Sequence, residues 1–474
     1  MAFILSIDQS TAGTKALLVD ERGEIVRRSS LAHAQYHPAP GYVEHDAAEI
    51  WRNVARLLDE MWTDGVCAIA LANQRETTVL WDRATGEPVH SAIVWQDVRA
   101  EPLCHQMARH RELVQRKTGL MLSPYYPAAK IMAALAARPD LHARAEAGEL
   151  CAGTVDSYLV YRMTGGELFA TDVSNASRTQ LMNLKTLAWD SELLRLFRIP
   201  RFMMAQQILP SDGQFGTYRG VPIAAVLGDS HAALFGHGCR APGQVKASYG
   251  TGSSIMLNVG TKPVASANGL SASVGYGFSG EVCYVLEGNV TCSADTLMWL
   301  RDDLRLIDDL RHVETLAGSV ESTQGAYLVP AFSGLGAPYF HSDARAILCG
   351  MSRGTTKAHV VRAALESIAH QNADVLDAMA RDMGASINLL SVDGGGSVNG
   401  LLMQMQADFI DAHVHVSSEK DLTALGAAHM AGLSVGLHEG FMPLRIAATY
   451  APKMGEVQRR QHRSAWADAV HRAR

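Results

Sequence analysis

Cysteine is scarce and scattered in this sequence. The seven cysteines of the 474-residue chain are odd in number and include no Cys-x-x-Cys pair. Secreted disulfide frameworks and structural zinc sites both need regular, closely spaced cysteines, so neither is expected. We therefore interpret the cysteines as reduced core residues of a protein that resides in a reducing compartment.

Long apolar runs are also missing. No stretch approaches the roughly 20 residues that a membrane span needs, and no basic segment followed by an apolar one marks a signal peptide. The net charge of −6 has both signs interspersed, which argues against binding to nucleic acid or to an anionic membrane. These absences predict a soluble, cytoplasmic protein with neither a nucleic-acid nor a membrane partner.

The chain has the composition of an α/β protein and is too long for one ordinary core. About half of its residues are apolar, about a fifth are charged, and glycine is frequent. A length of 474 residues favours two large domains.

The start of the chain predicts three strands followed by a helix. Residues 3–8, 14–20 and 24–33 are rich in apolar side chains and are separated by "QSTAG" and "ERG", which are typical of hairpin turns. Residues 46–62 then show helical spacing after an N-cap candidate, Asp46.

The same plan returns in the second half. Residues 243–260 read as strand, polar glycine turn and strand, residues 281–290 as a further strand, and residues 293–310 and 355–384 as helices. Such a repeat predicts two similar α/β domains whose polar hairpin tips point into a shared cleft. The segment "GHGCRAPGQ" is rich in glycine and proline and marks the boundary. The predicted domains are 1–238 and 239–474, and chance similarity of two hairpins is the alternative.

Small polar residues at both hairpin tips suit phosphate oxygens. "DQSTAGT" offers backbone N–H groups and the hydroxyl of Thr11 after a strand, and "YGTGSS" offers Gly250 and Thr251 in the same position. Asp8 cannot bind phosphate directly, so its natural partner is Mg²⁺ or a water on that ion. Each hairpin alone could be only a turn, but the pair predicts a phosphate clamp.

Two strand-to-helix turns carry further candidates. In "VDGGGSVN" three successive glycines leave bare backbone at a helix start, which suits a nucleotide, although a tight turn is the alternative. In "VLGDSHAALFG" an apolar strand delivers Asp229, which suits a general base for a substrate hydroxyl. A plain helix cap would also explain this aspartate.

The segment "NQRETT" places Arg75 and Glu76 just after a buried strand. In extended chain these two side chains point apart, so they could bind hydroxyl groups from two directions, with the arginine donating and the glutamate accepting. A solvated surface pair is the alternative.

Long segments in register carry a resemblance to a known family. They include "NQRETTVLWD", "AIVWQD", "TDVSNASRTQLMN", "YGTGS", "VPAFSGLGAPYF" and "VDGGGSVN". The chain resembles the FGGY carbohydrate kinases over nearly its whole length, and the glycerol kinases most closely among them. The resemblance implies the α/β fold of the actin-like (ribonuclease H-like) ATPases, a two-domain duplication with its active site in the cleft between the domains. It also implies transfer of the γ-phosphoryl group of Mg-ATP to a primary hydroxyl of a polyol or ketose, by a homodimer or homotetramer.

Roles follow from this resemblance by position. Asp8 matches the magnesium-associated aspartate, and Asp229 matches the catalytic base. The residues at the positions of phosphate and nucleotide contacts are Thr11, Gly13, Lys15, Gly250, Thr251, Gly395 and Asn399, and Lys15 stands where glycerol kinases have an arginine. The residues that match the polyol-binding set are Arg75, Glu76, Trp95, Tyr125 and Asp229.

Two departures from the family pattern concern the acceptor. Ser230 stands where glycerol kinases usually have a long amide, and Ser254 stands where they usually have an aromatic ring. Both line the implied substrate site, and the loss of a ring enlarges it. Glycerol is the leading single acceptor, and a larger polyol or a ketopentose such as xylulose or ribulose is the alternative.

The implied nucleotide site departs from the family pattern as well. Ala12, Ala294 and Met298 replace the family's usual residues there. These changes keep open an alternative of another class, a pseudokinase or a non-catalytic actin-like ATP switch.

Overall fold

The structure is a computed structural model that describes all residues, 1–474. The first half of the chain contains fourteen strands and nine α-helices. The strands are β1 (Phe3–Gln9), β2 (Gly13–Asp20), β3 (Ile25–Ala32), β4 (Glu44–His45), β5 (Val66–Asn73), β6 (Thr78–Asp82), β7 (Ala92–Ile93), β8 (Leu150–Thr154), β9 (Ala170–Asp172), β10 (Met182–Asn183), β11 (Ala188–Trp189), β12 (Gln207–Leu209), β13 (Thr217–Tyr218) and β14 (Val221–Gly228). The helices are α1 (Ala47–Met61), α2 (Glu101–Gln106), α3 (Arg111–Thr118), α4 (Pro127–Ala137), α5 (Pro139–Glu146), α6 (Val155–Met163), α7 (Val173–Ser177), α8 (Ser191–Leu196) and α9 (Asp229–Gly236).

The second half contains nine strands and six α-helices. The strands are β15 (Val245–Tyr249), β16 (Ser253–Gly260), β17 (Ser271–Phe278), β18 (Glu281–Val290), β19 (Tyr327–Val329), β20 (Ile347–Cys349), β21 (Leu389–Asp393), β22 (His413–Ser417) and β23 (Ile446–Tyr450). The helices are α10 (Ala294–Asp302), α11 (Val313–Gly318), α12 (Lys357–Met383), α13 (Gly400–Ile410), α14 (Leu422–Ser434) and α15 (Glu456–Ala473). No helix combines the length and the apolar composition that a bilayer crossing needs.

The two large sheets share one core topology. The first has the order β13-β14-β5-β1-β2-β3, and the second has the order β17-β18-β16-β15-β21-β22-β23. In each, a first strand (β1 or β15) runs parallel to one later strand and antiparallel to the strand that follows it in sequence. The duplication predicted from the sequence is therefore confirmed at the level of the sheets.

The local signals explain most of the predicted elements. The carboxylate of Asp46 accepts a hydrogen bond from the backbone N–H of Ala48 at 2.9 Å, so it satisfies a donor that α1 leaves unpaired. Helix α12 ends where Gly384 adopts φ 65°, a left-handed conformation that glycine tolerates at low cost. The three N-terminal strands, α1 and α12 are all confirmed.

One predicted helix is too long. Residues 293–310 were expected to be helical throughout, but α10 ends at Asp302. Asp302 and Asp303 place negative charge at the carboxyl end of the helix, where the helix dipole favours positive charge. The chain then leaves helical geometry at Arg305, which has φ 53°.

Helix α14 joins the two halves. It lies between β22 and β23 of the second sheet in sequence, yet it packs against α9 and the first sheet, and the hydroxyl of Ser6 donates to the carbonyl of Ala424 at 2.7 Å. A buried apolar cluster contains residues of both halves, among them Ile4, Leu234 and Ala427. The division into 1–238 and 239–474 stays a prediction, because sequence order and packing assign α14 differently.

Candidate active site

The candidate residues of the first half lie at the carboxyl ends of three parallel strands. Strand β5 lies between β1 and β14, so the carboxyl ends of all three strands meet at one edge of the sheet. Asp8 lies at the end of β1, Arg75 follows β5, and Asp229 follows β14 as the first residue of α9. Residues separated by more than two hundred positions are thereby brought to one place.

Arg75 contacts the candidate base Asp229 and also Ser230, which in turn contacts Ser254. Its Nε donates to Asp229 Oδ1 at 3.1 Å, and its NH2 group donates to Ser230 Oγ at 3.2 Å. Ser230 Oγ lies 3.3 Å from Ser254 Oγ, which belongs to β16 of the second half. The predicted acceptor residues therefore form a continuous contact across the cleft.

Trp95 lies between the first hairpin and Tyr125. Its indole Nε1 donates to Thr11 Oγ1 at 2.9 Å. Its ring meets that of Tyr125 edge to face, with 5.8 Å between the ring centroids. The rings of Trp95 and Tyr125 therefore lie next to the predicted phosphate-binding hairpin.

Glu76 is buried in a conformation that the sequence did not indicate. Its backbone has φ 61°, in the left-handed region rather than the extended chain that was expected. Its carboxylate accepts from Arg178 Nε at 2.6 Å and not from its neighbour Arg75. The predicted extended chain at this position is therefore wrong, and Glu76 pairs with an arginine distant in sequence.

A buried lysine lies beneath two of the predicted acceptor residues. Lys130 Nζ donates to the backbone carbonyls of Glu76, at 3.1 Å, and of Tyr125. Burial lowers the pKa of Lys130 to about 7, although the charges of Glu76 and Asp97 oppose this shift. The lysine therefore ties the turn that carries Glu76 to the start of α4.

Asp8 has the environment expected of a metal-associated carboxylate. Burial raises the pKa of Asp8 to about 7, the negative charge of Asp229 adds to the shift, and Lys15 opposes it. A bound divalent cation would favour the ionised form of Asp8, and a carboxylate oxygen is the kind of donor that Mg²⁺ prefers. The donor set therefore fits Mg²⁺.

The turn of the second hairpin packs closely against neighbouring backbone. The N–H of Gly250 donates to the carbonyl of Gly252 at 2.8 Å. A Cβ on Gly252 would lie 2.5 Å from the carbonyl oxygen of Val290, so this position requires glycine for packing. Thr251 is exposed at the tip, and its carbonyl accepts from the N–H of Ser293 at 2.8 Å, next to α10.

Packing explains two of the three successive glycines after β21 but not the middle one. Gly394 has φ 90°, and a Cβ there would lie 2.5 Å from the carbonyl oxygen of Tyr249. A Cβ on Gly396 would lie 3.0 Å from Cβ of Tyr249, whereas a Cβ on Gly395 would meet nothing within 4 Å. The open space at Gly395 fits a ligand that lies on bare backbone.

The remaining nucleotide candidates have visible structural roles. Asn399 Oδ1 accepts from the N–H of Leu402 at 2.9 Å and caps α13. Lys15 Nζ lies 2.5 Å from Asp421 Oδ1, which links the first hairpin to α14. A Cβ on Gly13 would lie 2.5 Å from the carbonyl oxygen of Leu31, so glycine is needed there for strand pairing. These contacts leave the predicted nucleotide roles of all three residues as predictions.

The sequence reasoning missed three buried charges of the cleft: Lys130, Arg178 and Glu287. A signal for Glu287 was present, since it is the only charge in the apolar strand segment "YVLEGNV". A carboxylate in a buried strand needs a partner, and that partner could not be read from neighbouring residues.

A second cluster of potential metal ligands lies between α12 and α15. One ligand atom each of Glu366, His370 and His462 lies within 4.8 Å of the others. Arg463 donates to His370 Nδ1 at 3.1 Å, so a neutral His370 ring carries its proton on Nε2 and cannot use that atom as a ligand. Arg362 also pairs with Glu366 at 2.9 Å, and we assign the cluster to helix packing.

The duplicated sheets and the cleft between them define a two-domain kinase of the actin-like ATPase fold. The model of the FGGY family of carbohydrate kinases, N-terminal domain, matches residues 3–236, and the model of its C-terminal domain matches residues 245–435. The chain belongs to the FGGY family of carbohydrate kinases, whose members are ATP-dependent phosphotransferases with an alcohol group as acceptor.

Individual relatives extend over the whole chain. A glycerol kinase from Alkalilimnicola ehrlichii is 44% identical, with 100% of this chain and 98% of that protein covered. A glycerol kinase from Shewanella oneidensis is 43% identical, with 100% and 99% covered. The crystal structure of Plasmodium falciparum glycerol kinase with ADP has a TM-score of 0.94 at 35% identity and covers 100% of this chain and 98% of its own. A xylulose kinase from Lactobacillus acidophilus has a TM-score of 0.90 at 19% identity, with 99% and 97% covered, which is a likeness of fold.

Proposed function

We propose that this protein is an ATP-dependent kinase that transfers the γ-phosphoryl group to a primary hydroxyl of glycerol. The observation that carries the proposal is the contact between Arg75 and Asp229, which sets a carboxylate base beside a guanidinium that can bind acceptor hydroxyls. Full-length relatives at 43–44% identity that are named glycerol kinases support this acceptor.

Asp229 acts as the general base. It takes the proton of the primary hydroxyl as the oxygen attacks the γ-phosphorus, so that a new O–P bond forms while the bond to the β-bridging oxygen breaks and ADP leaves. The ion pair with Arg75 fixes the orientation of the Asp229 carboxylate. Arg75, Glu76, Trp95 and Tyr125 hold the acceptor.

The two hairpins bind the phosphates of ATP. Backbone N–H groups and the hydroxyls of Thr11 and Thr251 contact the phosphate oxygens, together with Gly13, Lys15 and Gly250, whereas Gly395 and Asn399 contact the nucleoside end. Asp8 holds Mg²⁺, which when bound neutralises charge on the transferring phosphoryl group.

A ketopentose kinase is the second candidate. The observation in its favour is that Ser230 and Ser254, with hydroxyl oxygens 3.3 Å apart, present small polar groups to the acceptor. Two hydroxyl groups on the protein suit a longer acceptor with additional hydroxyl groups of its own.

The proposed reaction names the small-molecule partners but leaves location and assembly open. A small-molecule polyol and ATP are the partners. A cytoplasmic location and a homodimeric or homotetrameric assembly remain predictions from the sequence.

The Asp229→Asn variant tests the proposed chemistry. The amide keeps the shape of the side chain but cannot accept the proton, so we expect kcat with glycerol to fall by about 1,000-fold or more. ADP affinity, measured by calorimetry, should stay within about threefold of the wild type. An exposed matched variant, Asp302→Asn, controls for the substitution itself. Equal loss of turnover and of ADP binding would argue against the base role.

A further inference from the structure

Glu287 is a buried carboxylate that the proposed chemistry does not use. It lies in β18 of the second half, and the residue is 2% exposed. A carboxylate at such depth is stable as an anion only if positive charges offset the loss of water.

Two arginines of the first half provide that charge. Glu287 Oε1 lies 2.8 Å from NH1 of Arg75, and Oε2 lies 2.7 Å from NH1 of Arg178. Burial alone would raise the pKa of Glu287, but the charges of Arg178 and Arg75 outweigh it and hold the pKa below its usual range. Neither NH1 group makes a well-directed hydrogen bond, so these contacts are ion pairs.

The arginines connect Glu287 to both ends of the acceptor site. Arg75 donates to Asp229 at 3.1 Å, and Arg178 donates to Glu76 at 2.6 Å. Negative and positive groups therefore alternate along one chain of contacts, which runs Asp229, Arg75, Glu287, Arg178 and Glu76. The side chain of Asp229 is 34% exposed, and those of the other four are at most 6% exposed.

We propose that Glu287 and Arg178 are positioning residues that hold Arg75 and Glu76 in the geometry that binds the acceptor, so that the acceptor site is complete only when strand β18 of the second half contacts the first half. The inference rests on the proposed function of Arg75 and Glu76 as acceptor-binding residues.

The geometry explains why Arg75 needs this partner. Its Nε faces Asp229 and its NH2 faces Ser230, so NH1 is the remaining arm of the guanidinium, and Glu287 fixes it. Without Glu287, two buried guanidinium groups lose their shared anion, and Arg75 gains freedom to turn fully onto Asp229. Such a turn would misplace the donor that binds the acceptor, while the glycine turns that bind nucleotide keep their own contacts.

The isosteric variant Glu287→Gln tests the proposal in the full-length protein. We expect kcat/KM for glycerol to fall on the order of 100-fold, mainly through a higher KM, while ADP affinity changes by less than about threefold. In an Arg75→Lys background the same substitution should lower kcat/KM by less than about threefold, because the group through which Glu287 acts is already altered. Glu281→Gln, an exposed change in the same strand, is the matched control.

Other results would overturn the proposal. If Glu287→Gln lowers kcat/KM by the same factor in the wild type and in the Arg75→Lys variant, Glu287 does not act through Arg75. A parallel loss of ADP affinity would show a general structural role. Where Glu287→Gln does not fold, Glu287→Asp keeps the charge on a shorter side chain and should lose about tenfold in kcat/KM with ADP binding intact. An unchanged KM in that variant contradicts the inference. Absence of glycerol turnover in the wild type would instead overturn the proposed function.

Discussion

At the scale of single residues, acceptor size depends, under the proposed function, on Ser230 and Ser254. They come from opposite halves of the chain, and their hydroxyl oxygens lie 3.3 Å apart. Neither offers apolar surface to the carbon atoms of a small polyol. Selectivity for glycerol must therefore come from the hydroxyl-binding groups and from the ring of Trp95.

Restoring a ring at position 254 should favour the smaller acceptor. We expect Ser254→Phe to lower KM for glycerol by about fivefold, because the ring adds buried apolar contact, and to weaken turnover of ketopentoses. Steady-state kinetics with both acceptors measures the change, and Ser464→Phe at an exposed helical position is the control. A rise in KM for glycerol would contradict this interpretation of the pocket.

Asp156 gives the structure a pH-dependent stability. Burial raises its pKa from 3.8 to about 7, the neighbouring Asp172 adds to the shift, and hydrogen bonds from Thr154 and Thr171 oppose it. Between these pH values the folded state holds a proton that the unfolded state releases, so this residue lowers the free energy of unfolding as the pH rises through that window.

Substitution of Asp156 by asparagine should remove this pH dependence. The free energy of unfolding of the variant, taken relative to that of the wild type, should rise on the order of 2–4 kcal/mol from about pH 4 to about pH 8. Urea unfolding at both pH values measures the difference. A difference that does not change with pH would show that Asp156 is ionised in the folded protein.

At the scale of elements, α9 carries the candidate base at its first residue, and α14 holds α9 in place. The two helices cross closely at Gly236 and Gly426, where a Cβ on Gly426 would lie 2.0 Å from the carbonyl oxygen of Ala232. We expect Gly426→Ala to push α9 away, to destabilise the fold by about 1–3 kcal/mol and to lower kcat through displacement of Asp229.

Thermal unfolding and glycerol turnover measure these two effects. Gly440→Ala is the control, because a Cβ at that position meets nothing within 4 Å. A Gly426→Ala variant with wild-type stability and kcat would show that the α9–α14 contact does not set the position of the base.

The sequence could predict elements whose signals are local. The hairpin tips at Thr11 and Thr251 and the end of α12 at Gly384 each depend on neighbouring residues, so pattern and turn chemistry suffice. Resemblance to the family supplied Trp95 and Tyr125. The pairing of Arg178 with Glu76 and of Glu287 with Arg75 was not predictable, because the partners lie more than a hundred positions apart in the chain.

At the scale of the whole molecule, the cleft is formed by two sheets that several contacts across the halves connect. Ion pairs join Lys15 to Asp421 and Arg75 to Glu287, and an apolar cluster includes residues of both halves. We expect an ATP analogue and glycerol together to bring the halves closer, because water in an open cleft would compete with the acceptor.

Small-angle X-ray scattering can measure that closure. The radius of gyration should fall when both ligands are present and should change less with either ligand alone. Identical scattering in all states would show that the free protein already has the closed arrangement.

The most direct test of the central claim is the acceptor preference of the purified protein, measured as ADP release from Mg-ATP with glycerol, xylulose and ribulose. We predict acceptor-dependent ADP release, formation of a glycerol phosphate, and a kcat/KM for glycerol at least about 100-fold above that for either ketopentose. ADP release no faster than the acceptor-free background, or a ketopentose preferred over glycerol, would contradict the claim.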